Sequence, residues 1–389
     1  MTETAPTVEA PEPLAGTDRL FTLDPAVVHL NHGSFGAVPV PVQQLQRRLY
    51  EEQEADPDGF FADLPGRVAA ARARLADALG TRPELLALVP NVTDAIAVAL
   101  ANVPLAAGDQ VLVTDHGYGT VTEAVRRRAE ELGAELRTVR LPLDLPDGDA
   151  VREAVLAEVT DRTALAVLDG ITSPTARRVA TPGLLRELRG RGVTTVVDAA
   201  HEPGMLADPV PAEADFWFGN LHKWAFAPRA TGVLVVRPEW TGKIRPLILS
   251  WEDHQGYPAA VEWRGTLDYT PWLAAPAGID LLDGLGPGLV REHNERLVAH
   301  GAAVVAERVG LAALPTSAGL SMRALRLPPG VSETLPQAQE LMAQMWRRYA
   351  VRTVARPWAG GGVLRLCGQL YNRAPEYGVL ADGLAELLR

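Results

Sequence analysis

The sequence predicts an α/β fold, a mostly parallel central sheet sandwiched by helices, with a smaller α+β unit after it. Three features predict it. Strand-like and helix-like patterns alternate from about residue 41 to residue 236. The strand-like runs are continuously apolar, as strands covered on both faces are. After about residue 275 the alternation gives way to longer helical stretches around two strand-like runs.

The elements follow in order. Residues 1–20 are acidic and rich in Pro, Thr and Ala, and are expected to form a disordered leader. They lack the basic and apolar regions of a signal peptide. Residues 21–40 are expected as an N-terminal segment near the active site, residues 41–275 as a large domain and residues 276–389 as a small one. In the large domain, residues 110–114, 164–168, 193–197 and 232–236 read as buried strands. Helices are expected between them at 121–132, 150–158 and 182–189. Residues 238–271, rich in Trp, Gly and Pro, read as a long loop. The small domain is expected to open with a helix near 290–308. Strands near 321–327 and 363–367 and helices near 336–348 and 375–388 complete it.

Acidic residues outnumber basic ones, 48 against 37, for a net charge of −11. That argues against a nucleic-acid or anionic-membrane partner. No apolar run is long enough to span a membrane, and the cytoplasm is the default compartment. The single cysteine, Cys367, excludes an intrachain disulfide and a cysteine metal cluster, and no metal site is expected. Only two of the 37 basic residues are lysines, Lys223 and Lys243. A lysine amine can lose its proton and attack a carbonyl, which a guanidinium cannot.

Lys223 stands in the better setting. The aromatic run Phe216-Trp217-Phe218 leads through Gly219 and Asn220 to Leu221-His222-Lys223-Trp224, a polar turn after a strand-like stretch. Apolar surroundings favour the neutral amine that forms an imine. His222 and Asn220 are placed to donate hydrogen bonds to a phosphate. Lys243, in a polar turn, reads as a surface residue. A second strand ends at Asp198, with His201 three residues on. Ligands of open α/β sheets bind outside the carboxyl ends of the strands. An aspartate there suits the protonated ring nitrogen of pyridoxal 5′-phosphate (PLP), with His201 at the ring oxygen or over the ring face; an aspartate N-cap beside a structural histidine is the plainer reading. Asn91-Val92-Thr93-Asp94 opens an apolar helical run, either as a phosphate site built from Val92 and Thr93 or as a simple cap. His116 or Tyr118 is expected to stack on the ring, and Ser173 to bind the ring hydroxyl. Arg365 lies inside an apolar strand pattern and suits a substrate carboxylate.

Together these motifs resemble the class V aminotransferase family of fold-type I PLP enzymes, and within it the isopenicillin N epimerase-like branch. The branch features are Leu30-Asn31-His32-Gly33-Ser34-Phe35-Gly36, Asn91-Val92-Thr93, the Asp198/His201 pair, His222-Lys223-Trp224, Glu262 through Asp268, and Arg365 with Tyr371-Asn372. The resemblance implies that Lys223 forms the internal aldimine and moves the α-proton. Asp198 would hold the pyridinium, and His222 and Thr93 the phosphate. Arg365 would bind the substrate carboxylate, with Asn31 and Ser34 beside it. It also implies a homodimer in which Thr266 reaches the cofactor of the partner subunit. Cys367 departs from the serine usual two residues after the arginine, and Asn220 from a common serine.

The resemblance leaves the reaction open. Elimination from a cysteine S-conjugate needs Lys223 alone as base, and this less demanding chemistry makes a C–S lyase the leading expectation. Epimerisation needs a second acid, for which Tyr118, His32 and Cys367 are the candidates. Decarboxylation-coupled oxidative deamination and a non-catalytic PLP-binding role are the remaining alternatives.

Overall fold

The computed structural model describes residues 9–17, 19–358 and 360–389. The chain divides into two compact units. One comprises Val38–Ser173 and Arg178–Gly284; the other comprises the residues up to Ala37, Pro174–Arg177 and Leu285–Arg389.

The first unit is built on a seven-stranded sheet. From edge to edge its strands are Leu86–Val89, Gly232–Val236, Phe216–Asn220, Thr194–Asp198, Thr163–Asp169, Gln110–Thr114 and Glu135–Val139. Gly232–Val236 runs antiparallel to both neighbours, and every other pairing is parallel. Side chains alternate between two cores. Leu88, Leu112, Leu168, Val197 and Trp217 enter the core closed by the helices Pro57–Ala78, Pro182–Gly190 and Thr270–Leu285. Val89, Val111, Val167, Val196 and Phe218 enter the core closed by Val92–Asn102 and Gly119–Leu132. Burial on both faces is why the inner strands carry no polar alternation, whereas the edge strand Glu135–Val139 is largely exposed and carries Glu135, Arg137 and Thr138. All but the antiparallel strand point their carboxyl ends to one edge, where Thr114, Asp169, Asp198 and Asn220 stand.

The second unit packs a four-stranded sheet, in the order Val354–Trp358, Gly361–Cys367, Met322–Arg326 and Ala312–Ala313, against the helices Pro287–Val309, Leu335–Tyr349 and Ala374–Leu387. Its pairings are antiparallel. The N-terminal segment belongs here because Val28–His29 pairs in parallel with Val351–Arg352.

The division differs from the expected one. The helix Thr270–Leu285 runs unbroken through residue 275, because Trp272, Ala275, Ile279 and Leu282 continue one buried stripe. The long loop expected at 238–271 holds three short helical turns, Pro238–Thr241, Trp251–Gln255 and Ala259–Glu262. Of the expected leader, residues 1–8 and 18 lie outside the described residues. Thr17 is buried and bonds to the Leu14 carbonyl, so the disordered reading does not extend over that turn. No helix among the described residues is long and apolar enough to cross a membrane.

Candidate active site

The carboxyl edge of the large sheet carries two buried carboxylates. Asp198 ends its strand, and its Oδ1 accepts the Ala200 N–H at 3.0 Å. Its Oδ2 is buried and has no partner among the described residues. Asp169 ends the neighbouring strand, in register with Asp198. Burial and then the Asp198 charge push the Asp169 carboxyl far above the usual range. Burial also raises Asp198, against the pull of the Ala200 N–H and Lys223. Two such groups in low dielectric favour a shared proton or a bound cation.

Lys223 grows from the short helix Leu221–Trp224 that follows the strand Phe216–Asn220. It is 9% exposed, and its Nζ lies 3.3 Å from His201 Nε2. The Trp224 indole donates to the other ring nitrogen, His201 Nδ1, at 3.3 Å. Two glycines let backbone approach this turn. A β-carbon on Gly204, whose φ is +81°, would sit 2.3 Å from the Trp224 carbonyl oxygen, and one on Gly278 would sit 2.7 Å from that of Ala225. Phe226, just beyond, holds a left-handed φ of 59°, a strained state for a large side chain. Lys243 is exposed, its Nζ 5.2 Å from the Trp240 ring.

The helix Val92–Asn102 begins beside this turn. Asn91 Oδ1 accepts the N–H groups of Thr93 and Asp94, and Asn220 Oδ1 accepts that of Val92 at 3.2 Å. The first backbone donors, expected to be open to a phosphate, are therefore already paired. What remains is the exposed Thr93 and the amide nitrogen of the buried Asn220, whose oxygen is turned to the helix. His222 Nδ1–H donates to the Thr231 carbonyl at 3.3 Å. Burial, and then the Lys223 charge, lower the His222 imidazole to about 4, so the ring is neutral and its Nε2 bare. His116 is fully buried with Nε2–H on the Leu141 carbonyl at 2.7 Å, whereas Tyr118 is 38% exposed. Ser173 is half-buried and Thr266 is exposed. Arg264, two residues before Thr266, pairs with Asp94.

In the other unit, Arg365 Nη2 donates to Asn31 Oδ1 and Ser34 Oγ, both at 3.0 Å. Ser34 Oγ also donates to Asn31 Oδ1. The buried Cys367 Sγ accepts the Gly33 N–H at 3.4 Å. Gln369 Oε1 accepts from Asn294 Nδ2 and the Leu370 N–H, so its amide nitrogen is what faces His32 Nε2 at 3.1 Å. That ring nitrogen accepts, the proton stands on Nδ1, and it is given to the Tyr371 hydroxyl at 3.1 Å. Tyr371 keeps its own O–H to donate.

Comparison with known proteins decides the family. Residues 60–318 match the family described as Aminotransferase class-V. The chain belongs to the class V aminotransferase family. It is 35% identical to the isopenicillin N epimerase of Streptomyces clavuligerus, over 94% of this chain and 96% of that protein. It is 25% identical to an L-cysteine desulfhydrase of Arabidopsis thaliana, over 93% and 88%. Among solved structures, a mutant of C-DES with glycine covalently linked to the PLP cofactor shares the fold. Its TM-score is 0.79 at 18% identity, over 92% of this chain and 96% of that one.

Class V aminotransferases are PLP-dependent enzymes, and this chain is one. Its residues fit the group: Asp198 Oδ2, buried without a donor, is matched by a protonated ring nitrogen, and Lys223 Nζ stands at the same strand edge. Sequence reading brought out Lys223, Asp198, His201 and His222, and the structure brings them to one edge of one sheet. It missed Asp169 and Glu202, and it named Trp224 and Tyr371 only within motifs, with no role. Asp169 ends an apolar strand just as Asp198 does, and that signal was sufficient to find it.

Proposed function

We propose that this class V enzyme breaks carbon–sulfur bonds by β-elimination from a cysteine S-conjugate. Lys223 carries the reading: it is a buried amine at the carboxyl edge of the sheet, within hydrogen-bonding distance of His201, and elimination needs one base. When bound, PLP supplies an electron sink for the carbanion left as the α-proton departs. The chain's residues have distinct tasks. Lys223 anchors the cofactor and moves the α-proton. Asp198 holds the ring nitrogen, and His201 the ring oxygen. Tyr118, the exposed member of its pair, stacks on the ring. Thr93, Asn220 and His222 receive the phosphate, with Ser173 at the ring hydroxyl. Arg365, steadied by Asn31 and Ser34, takes the substrate carboxylate. The carbon–sulfur bond breaks as the α-proton is removed, sulfur takes a proton and leaves as a thiol, and water hydrolyses the remaining three-carbon enamine to pyruvate and ammonia. The desulfhydrase relative supports this reaction class.

Thr266 completes the phosphate site of a second copy in a homodimer. Its exposure supports this, as does the apolar surface nearby in sequence: Leu247, Ile248, Leu249, Trp251 and Leu267 are all exposed, Trp251 to 91%.

Epimerisation is the second reading, favoured by one observation besides the 35% identical epimerase. The Tyr371 hydroxyl accepts from His32 and keeps its own O–H to donate, and epimerisation needs an acid besides Lys223. Incubation in heavy water with S-substituted L-cysteines and with L- and D-amino acids separates the readings. Pyruvate and free thiol are expected. Deuterium at the α-carbon with inversion and no pyruvate would replace the lyase with an epimerase. Lys223→Ala is expected to lose both activity and the visible absorbance of bound PLP.

A further inference from the structure

We propose that Trp224 is a positioning residue of the cofactor site: its indole N–H holds His201 as the Nε2–H tautomer and so turns a donor toward Lys223 Nζ. An indole nitrogen has a hydrogen to give and no lone pair to offer. At 3.3 Å from His201 Nδ1 it can only donate, and a ring nitrogen that accepts carries no proton. His201 is therefore neutral, with its one proton on Nε2. That nitrogen lies 3.3 Å from Lys223 Nζ. An N–H facing an amine forms a hydrogen bond only if the amine presents its lone pair, and the lone pair is what attacks a carbonyl.

The surroundings make this orientation consequential. Trp224, His201 and Lys223 are all buried, so water does not compete for these nitrogens. Asp198 and Asp169 bear on Lys223 from the neighbouring strand ends, and both favour an ammonium ion there. His222, next in sequence, is neutral. The Nε2–H of His201 opposes that pull by favouring the amine's lone pair, and it does so only in the tautomer Trp224 selects. Trp224 also shares a helical turn with Lys223, and its carbonyl is the atom Gly204 leaves room for. One residue thereby sets both where the lysine starts and what it faces.

The catalytic meaning rests on the PLP reading above, whereas the tautomer does not. The test is 15N NMR of histidine side chains in the full-length enzyme, loaded with PLP and stripped of it, with His201→Gln identifying the signals. A bare Nδ1 and a protonated Nε2 are expected in both forms. In Trp224→Phe, which keeps an aromatic ring without the N–H, His201 is expected to shift its proton toward Nδ1. The pH midpoint of the PLP absorbance is then expected to rise by about one unit, tenfold in the equilibrium. A protonated Nδ1 in the wild-type protein would overturn the proposal whether or not the variant folds. So would a folded Trp224→Phe with unchanged His201 signals and midpoint. A protein that binds no PLP yet shows the bare Nδ1 would sink the cofactor reading and leave this one standing.

Discussion

Glu202 is buried beside the cofactor site, and its carboxylate accepts the Trp217 indole N–H at 2.8 Å. Burial raises it to about 7, against the pull of Trp217 and Arg178. The native chain therefore binds this proton more tightly than the unfolded chain does. The stability it contributes is full at pH values below the usual 4.5, declines as pH rises toward about 7, and is lost beyond it. Glu202→Gln keeps an acceptor for Trp217 and removes the titration. Its urea midpoint is expected to vary less between those pH limits than that of the wild type, with a difference on the order of 3 kcal/mol across them. Equal pH slopes for the two proteins would contradict this. Single residues also show what a sequence can and cannot disclose. Asp198, His201 and Lys223 are legible because each follows an apolar strand, and Lys223 also because lysine is rare here. Trp224 on His201, or Gln369 on His32, is not, since the bond joins residues that only tertiary packing brings together.

At the scale of elements, the lysine turn is held between other segments by missing side chains. Gly204 has a left-handed φ and no space for a β-carbon. Gly204→Ala is expected to cost about 1–3 kcal/mol or more, from strain and overpacking, and to shift the absorbance of bound PLP. Gly66 offers the contrast. It lies in the helix Pro57–Ala78, and a β-carbon there meets nothing within 4 Å. Gly66→Ala is expected to add about 0.5–1 kcal/mol. Denaturant titration of both variants checks the pair, and equal effects would refute the turn's tightness. Strands were legible because burial on both faces writes them as apolar runs. The helix Pro57–Ala78 was not singled out, because it carries Pro65 and two glycines inside its span. The turns within 238–271 were hidden because each is about one turn long and leaves no periodicity to detect.

At the scale of the whole molecule, the exposed apolar side chains at 247–251 are the feature a lone chain in water leaves unaccounted for. Sedimentation is expected to give about twice the 41.7 kDa of one chain. Paired substitution Leu249→Glu and Trp251→Glu is expected to reduce that mass to one chain and to weaken PLP retention. A wild-type protein sedimenting as a single chain would refute the homodimer. The units themselves were only partly legible: the change from alternating to helical pattern marked two bodies. The return of the described residues before Val38 to the second body depends on a two-residue strand, too short to announce itself. The scarcity of lysine reaches beyond catalysis. With Lys223 enclosed and Lys243 exposed, an amine-reactive dye or resin has one accessible side chain to attack. Apart from its amino terminus, the protein therefore attaches to a surface or a fluorophore at a single known point, one per chain.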